Sequence, residues 1–375
     1  MHDTISPPAP SRRLLRRFLT ALVALAVLVV ALRAWSTNEY AITPGNATNV
    51  APLVSIKGLA TDAHRDRILL VDVYLQPLSE LQYLLMHLES HVEFVSADQL
   101  LSPGIPNSQL VDQGYLQMSD SQMAAKVAAL RALGWKVPAT PSGAVITGVV
   151  NNTPASRAGL SVGDEITAVD ATTVTSQCSL EAALAHVAVG TKLELTVRPG
   201  RFSATGVLTR TPAIHVAVTT AASPHPAALT GCPQAPTSGV SWLGVSPEDG
   251  VAYALPGRIT LDTANIGGPS AGLAMTLTLI DALSKGSMTG GHVIATTGTI
   301  DPQGNVGDVG GVAEKTIAVE NAGAHYFFVP QVEVATARSV ANASLHVIGV
   351  TRLSQVLAAL RRLGGAALVP LTAPR

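Results

Sequence analysis

The sequence is poor in the residues that mark several common functions. It has only two cysteines, Cys178 and Cys232, and no Cys-x-x-Cys pair, so a zinc site of that type is excluded. Their spacing leaves open whether they pair or remain separate thiols. No Gly-x-x-x-x-Gly-Lys-[Ser/Thr] loop occurs, so an ATPase module of that kind is missing. Charged residues are few and nearly balanced, with a formal net charge of −1, which gives no basic patch for nucleic acid. Aromatic residues make up 4% of the chain, yet 47% is hydrophobic, so cores must be built from small aliphatic side chains.

One long apolar run is present, close to the amino end. Arg12, Arg13, Arg16 and Arg17 precede Phe18–Leu32, in which only Thr20 is polar. Arg33 can snorkel and Trp35 can sit at an interface, which lengthens the usable span. The expectation is an uncleaved single-pass anchor over residues 1–35, with a cytoplasmic basic tail and the bulk extracytoplasmic. A cleaved signal peptide is the competing reading.

Beyond the anchor, Asn38, Pro44, Gly45 and Asn46 suggest a linker over 36–52. Residues 53–142 read as a mixed α/β segment packing with the carboxyl-terminal domain. Within it lie a β-rich stretch around Ile68–Tyr74, a helix near Leu78–Leu88, and a second helix capped by Ser119 and stopped by Gly134. No chemistry is assigned there. Residues 211–240 read as a second linker, with Pro224, Pro226, Pro233 and Pro236.

Two stretches carry the chemistry. In Asn265-Ile266-Gly267-Gly268-Pro269-Ser270-Ala271-Gly272 a serine sits on a glycine-rich turn before an apolar helix, with Pro269 holding Gly268 extended. Free N–H groups at a helix start suit an oxyanion. An N-cap serine is the alternative. In Gly310-Gly311-Val312-Ala313-Glu314-Lys315 a lysine sits in the first turn of another helix. There the dipole opposes its charge, and burial would lower its pKa further. A neutral lysine can activate a serine. His292 and His325 have no local partner that suggests a triad, and Glu314 points about 100° away from Lys315 around the helix.

These motifs, with Thr297-Gly298-Thr299-Ile300 between them, resemble the proteolytic domain of the Lon family over residues 241–363. The resemblance implies a catalytic Ser270–Lys315 dyad, a supporting role for Thr297 near the lysine amine, and oxyanion donors on the backbone of Gly268 and Ser270. It also implies peptide hydrolysis without metal or other cofactor, and an association into hexameric rings. The acidic residue that often precedes Gly-Pro-Ser in that family is Gly267 here.

Residues 143–210 are similar to PDZ domains of the kind attached to bacterial proteases. Pro154–Leu160 and Val162–Asp170 carry that likeness, with Leu180–Val187 as groove helix and Lys192–Arg198 as closing strand. The usual Gly-Leu-Gly-Phe carboxylate loop is not recognisable before Val145. A purely structural spacer is the alternative to peptide binding.

The expected fold class is α/β (α+β), with an apolar anchor, a β-rich PDZ-like domain, a Lon-type α/β domain over 241–363 and a tail over 364–375. The expected function is an ATP-independent, membrane-anchored serine endopeptidase acting on unfolded or flexible extracytoplasmic proteins. Its partners are protein or peptide substrates, the membrane and copies of itself, with no nucleic acid and no ATP. A non-catalytic PDZ scaffold and, third, a phosphate-binding kinase-like domain remain open.

Overall fold

A computed structural model describes residues 12–62, 66–203, 205–223, 232 and 241–372. The first element is a helix, Arg12–Ala34. Residues Leu15–Ala34 within it are long and apolar enough to cross a membrane, and none of that stretch is buried by the rest of the protein. Phe18, Val27 and Val30 are each more than 60% exposed.

The chain beyond it builds two six-stranded sheets. The first runs in the order His346–Val350, Tyr326–Pro330, Ile294–Thr296, Ile68–Ser79, Ser36–Asn49, Glu93–Ser96. The first four strands are parallel, and Ser36–Asn49 runs antiparallel to both of its neighbours. Side chains alternate across this sheet, as the two-residue period of a strand requires. Ile68, Leu70, Ile294 and Phe328 face one core, which includes the helices Leu110–Ala132, Gly272–Leu283 and Leu353–Arg362. Leu69, Val71, Ala295, Phe327 and Val329 face the other, against the helix Val312–Asn321. Helices on both faces explain why these strands are continuously apolar.

Residues 36–52, expected as a linker, instead form the strand Ser36–Asn49, paired on both edges. The turn-prone Pro44 and Gly45 are absorbed at a register shift between Pro44 and Ala47 rather than ending the strand. Ser119 is likewise not a cap. The helix runs unbroken through it from Leu110 to Ala132, and it ends before Gly134 at φ +88°.

The second sheet is antiparallel, in the order Ile214–Thr219, Lys192–Arg198, Glu165–Val169, Ala139–Val149, Val245–Tyr253, with Thr172–Thr173 as a further strand beside Glu165–Val169. Its core includes Ala144, Ile146, Ile166, Leu180, Leu195 and Val197. Two expectations are corrected here. Ile214–Thr219 lies in this sheet, not in a linker, because its alternating residues pair with Lys192–Arg198. Val245–Tyr253 also belongs to it, through Ala139–Val149, so the chain after residue 241 first completes the β-rich domain. The proline-rich stretch 224–240, apart from Cys232, lies outside the described residues. Cys178 and Cys232 form a disulfide with 5.3 Å between Cα atoms, linking the helix Gln177–Leu184 to that stretch.

Candidate active site

The serine turn sits where the apolar helix Gly272–Leu283 begins. Every residue of that helix is buried. Its two threonines are satisfied internally: the Thr276 and Thr278 hydroxyls donate to the carbonyls of Gly272 and Ala274. The helix is capped by Ala271, with no side-chain capping bond. Ser270 is therefore not spent as an N-cap. Its hydroxyl and its N–H make no hydrogen bond among the described residues.

Backbone contacts fix the turn from two directions. Gly298 N–H donates to the Ser270 carbonyl at 3.0 Å, and Leu273 N–H donates to Gly298 at 3.1 Å. From the other side the long helix Leu110–Ala132 braces it. The Ser121 hydroxyl donates to the Pro269 carbonyl at 2.9 Å, and Gly268 N–H donates to the Gly114 carbonyl at 2.8 Å. Gly272 allows this packing, since a Cβ there would meet Ile300 at 2.8 Å and Ser121 at 2.9 Å. Gly268, expected to be extended ahead of Pro269, adopts φ +84°, which glycine accepts readily. Of the two expected oxyanion donors, the Gly268 N–H is thus occupied by Gly114 in this conformation, whereas the Ser270 N–H is not.

Lys315 lies on the helix Val312–Asn321, which packs on the opposite face of the sheet from the helix Gly272–Leu283. Gly311, at φ +65°, caps the helix Val312–Asn321, and Lys315 N–H closes its first turn on the Gly311 carbonyl at 2.9 Å. Lys315 is 3% exposed. Burial pushes its ammonium down to about 8, against the pull of Glu333, Asp72, Glu314 and Glu93. Among the described residues it forms no ion pair. Among the described residues no hydrogen bond joins Lys315 to Ser270.

Thr297 is fully buried at the end of the strand Ile294–Thr296. Its N–H donates to the Phe328 carbonyl at 3.0 Å, and its hydroxyl leans toward the Ser270 carbonyl at 3.5 Å. That hydroxyl is on the serine turn and makes no bond to the lysine. Glu314 is buried, with Oε2 unpaired and its carboxyl pushed up by desolvation. Gly114, Ser121 and Glu333, which nothing in the sequence marked, also meet the two motifs here.

The serine turn meets Gly298 just past the strand Ile294–Thr296, and the turn before the lysine helix meets Glu333 just past Tyr326–Pro330, both at the carboxyl ends of parallel strands, where open α/β sheets commonly place their sites. Among the described residues, no cluster of three or more His, Cys, Asp or Glu residues could hold a metal ion. In the second sheet, Val245–Tyr253 is the edge strand beside the helix Gln177–Leu184, whose Gln177 N–H donates to Asp249 Oδ1 at 2.8 Å. The strand flanking the groove helix therefore follows the rest of the domain in sequence.

Comparisons with known proteins bear on both halves. Residues 262–362 match the family model of the Lon protease (S16) C-terminal proteolytic domain, and residues 124–201 match that of the PDZ domain. The Lon protease of Mycoplasma mycoides subsp. mycoides is 34% identical over 88 residues, covering 24% of this chain and 11% of that protein. The Lon protease of Rickettsia bellii is 31% identical over 93 residues, covering 24% and 12%. The match thus spans about a tenth of the length of these relatives. Among solved structures, the PDZ domain of the SdrC-like protein from Listeria monocytogenes is 16% identical and covers 28% of this chain and 87% of that one, with a TM-score of 0.21. Two segments of the chain, 262–362 and 124–201, are thus recognised as a Lon-type proteolytic domain and a PDZ domain.

Proposed function

We propose that the protein is a serine endopeptidase in which Ser270 attacks the scissile carbonyl and Lys315 is its base. The observation that carries this reading is the burial of Lys315, which brings its pKa to about 8. A substantial share of the amine is then neutral at mildly alkaline pH and able to accept the serine proton. Lys315 returns that proton to the leaving amine, an acyl-enzyme forms on Ser270, and water hydrolyses it. The Ser270 N–H is the available oxyanion donor. The Gly268 N–H joins it once substrate displaces the Gly114 carbonyl. Thr297 keeps the serine turn in register through its carbonyl.

In this reading the enzyme works without nucleotide on flexible or unfolded segments; the chain holds no Gly-x-x-x-x-Gly-Lys-[Ser/Thr] loop. Residues 12–34 anchor it in a membrane, with the arginines cytoplasmic and the catalytic domain outside. The PDZ domain takes an extended peptide along Val245–Tyr253, a strand whose outer edge is unpaired among the described residues. Assembly into a ring would confine the site. Incubating the full chain in detergent with an unfolded protein substrate, without nucleotide, tests the reading. Cleavage lost in Ser270→Ala supports it. Cleavage retained in that variant overturns it. A folded but inert wild type would favour the non-catalytic scaffold.

A further inference from the structure

Among the described residues Lys315 has no hydrogen-bond partner to orient its amine, and Thr297 turns its hydroxyl to Ser270 instead. Glu333 is the acidic residue tied to the turn that precedes the lysine helix. It ends the short turn Gln331–Glu333 that follows the interior strand Tyr326–Pro330, and it is half-buried. Its Oε1 accepts the Val309 N–H at 2.7 Å. Val309 immediately precedes Gly310-Gly311, the turn that launches the lysine helix. Its Oε2 is buried with no hydrogen-bond partner. An unpaired buried carboxylate oxygen is costly unless a charge offsets it.

Desolvation foremost pushes the Glu333 carboxyl up; the Val309 N–H and the Lys315 charge pull it down, and Asp308 pushes it up. Conversely, Glu333 is the leading charge on Lys315, ahead of Asp72 on the neighbouring strand, Glu314 on the same helix and Glu93 on the edge strand. We propose that Glu333 is a positioning residue for Lys315, pinning the Val309–Gly311 turn that launches the lysine helix with one carboxylate oxygen and leaving its buried, unpartnered second oxygen as a counter-charge for the amine. This rests on reading Lys315 as the base of the candidate site.

The test titrates the amine itself. The full chain in detergent is labelled competitively with a small amine reagent across pH, and modification at Lys315 is read by mass spectrometry. Glu333→Gln retains an acceptor for the Val309 N–H and removes the charge. Its Lys315 midpoint should fall by about one pH unit, the low end of what an adjacent charge produces. Glu333→Asn, also uncharged, is the second variant if the glutamine form does not fold. A midpoint unchanged from wild type in a folded variant overturns the proposal. Cleavage assays on Lys315→Ala are run in parallel. Activity surviving there sinks the dyad, whereas the labelling midpoint still reads whether Glu333 acts on the amine.

Discussion

The N–H of Gly268 donates to the carbonyl of Gly114 at 2.8 Å, across 154 positions of sequence, and so ties the serine turn to the long helix Leu110–Ala132. The two backbones approach so closely that a Cβ on Gly267 would lie 3.2 to 3.4 Å from Gly114 backbone atoms. A Cβ on Gly114 would instead meet only ordinary contacts, at 3.7 Å or more. A side chain at Gly267 would therefore require the facing main chain to give by a few tenths of an ångström.

Gly267→Ala should lower stability by about 1 kcal/mol, since main chain must give way. Gly114→Ala should change it less, because its added methyl fits. Thermal unfolding of the two variants checks this, and the reverse ranking would contradict the packing described. Ser121→Ala, which removes the hydroxyl bond to Pro269, should also cost about 1 kcal/mol.

Activity should depend on pH through Lys315. With its pKa near 8, the active neutral amine predominates above that value and is protonated below it. Between pH 7 and pH 9 kcat/KM should rise roughly tenfold, with a single acid limb. A profile flat over that range would exclude Lys315 as the base.

Stability should show a different dependence at the far end of the apolar helix. Asp281 is buried beside Asp66, whose N–H it accepts at 3.0 Å. Desolvation foremost, with the neighbouring Asp66 carboxylate, pushes Asp281 up to about 7. The folded state thus holds a proton that the unfolded chain has released by about pH 4. This contribution is complete below that pH and is lost as pH rises toward 7. Asp281→Asn, neutral throughout, should flatten denaturant-unfolding stability over that window. An unchanged slope would show that Asp281 does not titrate there.

Reduction of Cys178–Cys232 opens a 54-residue loop. On the chain-entropy account it should cost the β-rich domain about 4 kcal/mol at most. Unfolding followed by the fluorescence of Trp242, with and without reductant, measures it; no change would mean that the bond adds no stability.

The two motifs were legible because their chemistry is local. A glycine turn before an apolar helix and a lysine in a first turn can each be recognised within ten residues. The strand Lys192–Arg198 was legible for the same reason, through its alternating Leu193, Leu195 and Val197. What escaped depends on distant pairing. Ser36–Asn49 carries Pro44 and Gly45 and became a strand only because Ile68–Ser79 and Glu93–Ser96 satisfy its backbone. Val245–Tyr253 completes a sheet whose other strands lie up to about a hundred residues earlier. Gly114, Ser121 and Glu333 bear no motif, and their link to the site is visible only as hydrogen bonds across the fold.

The most direct test of the central claim is covalent. The full chain in detergent is treated at pH 8.5 with a serine-directed phosphonylating probe and mapped by peptide mass spectrometry, alongside Ser270→Ala and Lys315→Ala. The account predicts the adduct on Ser270 in wild type and its loss in both variants. An adduct on another residue, or equal modification of Ser270 without Lys315, would contradict it.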